Sequence, residues 1–123
     1  MFRGLSQLVY ELSGKNPYLC YQCGMCSGSC PMIRDMDIPP HQIIRMVQMD
    51  MQEVLRSKTI WVCASCNTCS IRCPRDVDPA GIINILRTIM QRRNEYPLDL
   101  RRVKRLGELP QIALISASRK MTG

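Results

Sequence analysis

The sequence predicts a mostly α-helical fold in which two cysteine-rich loops lie between short helices, with a helix near the N-terminus and an extended tail at the C-terminus. Apolar residues recur at helical spacing in three separate stretches. Alternation at period two is confined to the brief run Thr59 to Val62, whose position between a helical stripe and a cysteine loop argues against a sheet. The eight cysteines fall into two groups of four with one shared spacing, which supplies the third observation.

In chain order, Leu5, Leu8, Val9 and Leu12 form a stripe within residues 2–12 that suits an amphipathic helix ending near Ser13 and Gly14, and Asn16-Pro17 then marks a loop. Cys20, Cys23, Cys26 and Cys30 follow, with Pro31 after the last; Gly24 and Gly28 permit the tight turns of a wrapping loop. Pro39 and Pro40 suit a helix start, and Ile43, Ile44, Val47, Met51, Val54 and Leu55 give either one kinked helix or two short ones. Cys63, Cys66, Cys69, Cys73 and Pro74 repeat the first group, and the duplication is read as limited to these segments. Asp78 as N-cap and Pro79 at the first position open a helix carried by Ile82, Ile83, Leu86, Ile89 and Met90 and ending near Asn94. Residues 1–96 thus make one helical domain, and residues 97–123, with Arg101, Arg102, Lys104, Arg105, Gly107 and Pro110, are expected to be a basic, partner-docking tail.

A chain of 123 residues is too short for two ordinary domains with separate cores. Its hydrophobic fraction of 46% is ordinary, but only 5% of residues are aromatic, so an inorganic group is expected to complete the interior. No apolar run approaches the roughly 18 residues of a membrane span, and the N-terminus has no signal-peptide pattern. The cytoplasm is the expected compartment, where eight cysteines are read as metal ligands before disulfides.

Each group reads C-x2-C-x2-C-x3-C-P, the run by which bacterial-type ferredoxins bind 4Fe-4S clusters. Three close cysteines reach three irons of one cube, and the proline after the fourth redirects the chain so that its thiolate serves the other cube. On that pattern Cys20, Cys23, Cys26 and Cys73 hold one cluster, and Cys63, Cys66, Cys69 and Cys30 the second. Each oxidised cubane with four thiolates carries about −2, which brings the formal +7 of the chain to about +3. Full cysteine ligation leaves no open iron, favouring electron relay over catalysis. Paired zinc sites are the alternative, and triplets with a trailing Cys-Pro fit them poorly.

Other residues have plainer readings. His41 beside prolines is expected to be structural or solvated, Trp61 to pack in the core in preference to shielding a cluster, and the nine methionines to fill apolar space around a cluster or at a contact between subunits. Arg92, Arg93, Arg101, Arg102 and Arg105 lack the interleaved aromatics of a single-strand nucleic-acid surface, so a protein partner or solvent is preferred.

The segment from Cys20 to Pro31, with Tyr21-Gln22 between its first two cysteines, and that from Ile60 to Pro79, with Trp61 before and Val77-Asp78 after the cysteines, resemble the iron-sulfur C subunits of heterodisulfide reductases over roughly residues 13–95. The resemblance implies an α-helical ferredoxin fold, like that of the cluster-bearing half of succinate dehydrogenase and fumarate reductase iron-sulfur subunits. It also implies a cytoplasmic relay protein with two 4Fe-4S clusters, set between the A and B subunits of heterodisulfide reductase. Single electrons would pass from the A subunit, which carries flavin and iron-sulfur groups, to the B subunit, which cleaves the disulfide of coenzymes M and B in methanogenesis. The sequence has no adjacent Cys-Cys pair and no G-x-G-x-x-G fingerprint, so neither disulfide chemistry nor flavin binding is expected on this chain. A relay subunit of a membrane-bound quinone-linked dehydrogenase and a freely diffusing ferredoxin are the alternatives.

Overall fold

The computed structural model describes residues 4–92 and 104–122. Within them the fold is helical, without strands. Seven α-helices follow in order: α1 (Leu5–Ser13), α2 (Met25–Gly28), α3 (Pro40–Gln48), α4 (Thr59–Val62), α5 (Thr68–Ile71), α6 (Pro79–Arg92) and α7 (Gln111–Thr122), with tighter 3-10 turns between several of them.

The core sits where α1, α3 and α6 pack on one another. Leu5 and Val9 of α1, Ile43, Ile44 and Val47 of α3, and Ile82, Ile83, Leu86, Ile89 and Met90 of α6 are buried together, as the helical stripes predict. α1 ends at Gly14, whose φ of +69° lets its N–H return to the Tyr10 carbonyl. The apolar stripe after Pro40 resolves into two short pieces: α3 stops at Gln48, Asp50 takes φ +54°, and a 3-10 turn over Gln52–Arg56 buries Val54 and Leu55. Thr59–Val62 is a turn of helix.

The internal repeat runs further than the cysteines. Pro40, Ile43, Ile44 and Val47 of α3 correspond in order and burial to Pro79, Ile82, Ile83 and Leu86 of α6. Each repeat is therefore a cysteine loop followed by the helix that starts beside it, and α1 lies against both long helices.

The tail departs from expectation. In place of an extended segment, Leu106–Glu108 form a 3-10 turn and Gln111–Thr122 form α7. Pro110 precedes a run of Gln, Ile, Ala and Leu, a favourable N-terminus followed by adequate helix formers; the helix has no strong apolar stripe to mark it in the sequence. Ile112 on it is 77% exposed. Arg93, Arg101 and Arg102 lie outside the described residues.

Candidate metal centre

The two cysteine loops fold alike. In the first, Gln22 (φ 64°) and Gly24 (φ 78°) are left-handed; in the second, their counterparts Ser65 (φ 54°) and Asn67 (φ 61°) are too. A left-handed residue before and after the second cysteine turns successive side chains inward, and one helical turn, α2 or α5, then presents the third. Cys26 and Cys69, the third cysteines, are 7% and 8% exposed. All eight thiols are free of disulfide bonds.

The loops enclose two cavities with interlocked linings. One is bordered by Cys20, Cys23 and Cys26 of the first loop and by Cys73 of the second. The other is bordered by Cys63, Cys66 and Cys69 of the second loop and by Cys30 of the first. Each cavity thus takes three thiols from one loop and the fourth from the other. Further wall residues come from the starts of the long helices: His41, Ile44 and Pro79 on one side, Pro40, Ala80 and Ile83 on the other. The positive ends of α3 and α6 therefore border both cavities, a favourable setting for an anion.

Burial among apolar walls pushes the Cys26 thiol up to about 11, and burial likewise raises Cys69. Cys66, at the exposed rim, is lowered by the Thr68 hydroxyl and Thr68 backbone. The sulfurs have further partners: Gln22 Nε2 donates to Cys20 Sγ at 3.3 Å, the Val77 N–H donates to Cys73 Sγ at 3.4 Å, and Met36 Sδ lies 3.9 Å from Cys30 Sγ. Arg75 stacks over the Tyr21 ring at 5.3 Å beside the first loop. Four thiols around one apolar-walled hollow, with helix N-termini beside it, are a donor set that fits an iron-sulfur cubane. Among the described residues no three His, Cys, Asp or Glu side chains converge as they would on a single metal ion. The quartets encircle a volume and do not meet at a point.

Sequence reading missed the residues that hold the loops to the helices. The serine after each third cysteine performs one task twice. Ser27 Oγ accepts the His41 backbone N–H at 3.2 Å, and Ser70 Oγ accepts the Ala80 N–H at 3.2 Å, so each loop caps the long helix of its own repeat. The Ser27 hydroxyl also lies 2.6 Å from His41 Nδ1, whereas Ser70 donates to the Asp78 carboxylate at 2.5 Å. Asp78 Oδ1 accepts the Gly81 N–H at 3.1 Å, and a Cβ on Gly81 would collide with that carboxylate. The repeated Cys-Ser pair at 26–27 and 69–70 was the available signal. His41 is a structural partner that also faces the first cavity. Trp61 packs against the core and lines neither cavity. Met25, Met32 and Met36 line the cavities, as apolar filling requires.

A second polar group ties the repeats to each other. The Asp37 carboxylate accepts the N–H groups of Lys58 and Thr59, each at 3.0 Å, and hydrogen bonds from the hydroxyls of Ser57 and Thr59 at 3.1 and 2.7 Å. Desolvation would raise its pKa, but these donors outweigh it and hold the carboxyl well below the usual range. It anchors the start of α4, which leads into the second loop.

No helix among the described residues is long and apolar enough to cross a membrane. Residues 19–78 match a family profile described as a 4Fe-4S dicluster domain. The chain is 42% identical over 83 residues to the second iron-sulfur C subunit of the CoB–CoM heterodisulfide reductase of Methanocaldococcus jannaschii, covering 68% of this chain and 45% of that protein. It is 44% identical over 68 residues to the C subunit of the ferredoxin:CoB-CoM heterodisulfide reductase of Methanosarcina acetivorans, covering 55% and 28%. Against the C subunit of the H(2):CoB-CoM heterodisulfide,ferredoxin reductase of Methanothermobacter marburgensis the identity is 28% over 129 residues, covering 85% and 70%. The chain thus spans less than half the length of the first two relatives. With two cysteine quartets on a helical frame, the chain carries a 4Fe-4S dicluster domain and is, over the matched segment, a homologue of the iron-sulfur C subunits of the heterodisulfide reductases.

Proposed function

We propose that the chain relays single electrons through two 4Fe-4S clusters within a heterodisulfide-reductase-type complex, between an A subunit bearing flavin and iron-sulfur groups and a disulfide-reducing B subunit. Cys20, Cys23, Cys26 and Cys73 hold the first cluster; Cys63, Cys66, Cys69 and Cys30 hold the second. The interlocked lining of the two cavities is the observation that carries this reading. All eight cysteines are committed as ligands, so no iron is left open to a substrate. The clusters supply one-electron redox chemistry; the polypeptide positions them, limits their access to water and sets their electrostatics.

Cys23 and Cys66 are the exposed thiols of their quartets, so each cluster has one corner near the surface through which a partner can exchange electrons. Beside Cys23 the surface is apolar, with Tyr21 55% and Met25 50% exposed, a composition suited to protein docking. The segment from residue 97 onward, with exposed Ile112, adds a candidate attachment to the partner proteins. The same reading places the protein in the cytoplasm, where thiols stay reduced.

Anaerobic purification with iron and sulfide analysis tests the cluster content: about eight irons per chain are expected. Dithionite should produce the paramagnetic signals of reduced cubanes. Stoichiometric zinc, or a colourless folded protein without such signals, would sink the reading. Mass spectrometry of the intact complex tests the assembly. The A and B subunits are the expected neighbours, and integral quinone-reactive proteins in their place would move the relay to a membrane dehydrogenase.

A further inference from the structure

The repeat carries one charge on only one side, next to the cysteine that opens the second loop. Gln48 ends α3, and its place in α6 is taken by Arg87. Both side chains do the same thing. Gln48 Nε2 donates to the carbonyls of Pro17 and Cys20 at 2.8 and 3.1 Å. Arg87 donates to the carbonyl of Ile60 through Nε and Nη2 at 2.9 and 2.7 Å, and to that of Cys63 through Nη2 at 2.8 Å. In each case the acceptors are the first cysteine of the loop and the residue three before it. Both side chains are half-buried, so geometry and exposure match while charge differs by one unit.

Building on the cluster reading above, we propose that Arg87 is a positioning residue that raises the reduction potential of the second cluster, while the neutral Gln48 withholds this effect from the first. A guanidinium stays charged at any relevant pH. Reducing a cubane adds one negative charge, so a fixed cation nearby stabilises the reduced state more than the oxidised one. Among the described residues Arg87 makes no ion pair with a carboxylate, and its contacts are carbonyl oxygens, so its charge is not cancelled locally. An amide offers the same donors without that charge.

Other groups act on the first cluster. Arg75 over Tyr21 and Arg45, whose Nη1 donates to Gln48 Oε1 at 3.3 Å, are cations on that side. Both are exposed, where water and salt screen them more than a half-buried charge. The hydrogen bonds to Cys20 and Cys73 also favour reduction of the first cluster. Substitution at Arg87 isolates what its charge adds to one site from the contributions of these other groups.

The experiment is a redox titration of the full-length anaerobic protein followed by paramagnetic resonance, for the native chain, Arg87→Gln, Arg87→Lys and Gln48→Arg. Arg87→Gln is expected to lower one midpoint by the equivalent of an about tenfold loss in electron affinity, about 59 mV for a one-electron couple, and to leave the other in place. Arg87→Lys, which keeps the charge, should restore most of that shift. Gln48→Arg should raise the other midpoint and leave untouched the one that Arg87→Gln lowers. Equal movement of both midpoints, no movement with Arg87→Gln, or movement of the same midpoint by both substitutions would overturn the inference. If Arg87→Gln does not fold, Gln48→Arg decides alone: a raised single midpoint supports the inference and unchanged midpoints defeat it. Failure of the cluster reading is separate, because it appears in the native chain as missing iron and missing signals.

Discussion

Gly24 in the first cysteine loop has φ +78° with open space where a Cβ would sit, and Asn67, its counterpart in the second, holds φ +61° with a side chain present. After the fourth cysteines the loops diverge further. Cys30-Pro31 runs into a 3-10 turn over Ile33–Asp35, while Cys73-Pro74 leads through left-handed Asp76 and Asp78 straight into α6. The first loop reaches its helix by a detour that Asp37 anchors to the start of α4; the second arrives at once. The shared part of the two loops is what encloses a cavity, and the parts that differ decide how each loop is fastened to the rest. Backbone geometry around the thiols is thus repeated, and the electrostatics outside them are free to vary.

The sharpest break of this comparison is to remove the crossing thiols. Cys73→Ala should reduce iron from about eight to about four per chain. Adding Cys20→Ala should remove no more, because both thiols border one cavity, whereas adding Cys63→Ala should remove the rest. The reverse pattern in iron analysis would show that each fourth cysteine serves its own loop.

Next in size are the matched core positions. Ile44 and Ile83 are each 1% exposed and each lines its own cavity. Their alanine variants should lose about 3 kcal/mol each in anaerobic denaturant unfolding. A large inequality would show that one repeat carries the stability.

Gly24→Ala places a Cβ on a left-handed residue and should cost about 1–2 kcal/mol, while Asn67→Gly should change stability by less than about 0.5 kcal/mol, since relieved strain offsets the added chain entropy. Thermal unfolding of the two variants measures the difference.

Below the Gly24 effect come those of the aspartates. Asp37→Asn should cost about 1 kcal/mol, the scale of a lost helix cap. A carboxyl whose pKa is lowered by folding stabilises above its unfolded value near 4 and loses that contribution as pH falls. The deficit should therefore be full at pH 7 and shrink below about pH 4, as followed by unfolding at each pH. Asp76, exposed and paired with Lys15 at 2.6 Å, is the weaker case. Asp76→Asn should give a smaller change that salt abolishes.

Much of the frame could be read from residues alone. The stripes of α1, α3 and α6 follow from apolar periodicity, and the proposed grouping of the cysteines follows from their spacing and trailing prolines. The fastenings could not be read in this way. Gln48 reaches carbonyls 28 and 31 positions away, and Arg87 reaches 24 and 27; nothing local in a glutamine or an arginine announces such a partner. The left-handed Gln22 and Ser65 carry no compositional mark, since neither is a residue that prefers that region. The longer repeat was legible in principle from Pro40 and Pro79 with the Ile-Ile pairs after them, but it is masked by the unequal spacing between each fourth cysteine and its helix.

Because each cavity takes three sulfurs from one repeat and the fourth from the other, neither repeat is a module that can be excised intact. A chain severed between α3 and α4 would give two fragments, each holding three sulfurs for one enclosure and a single sulfur for the other. Neither piece could finish an enclosure alone, but mixing them would restore both. A half-length ancestor, before any duplication and fusion, would have met the same arithmetic by exchanging its last cysteine with an identical copy of itself.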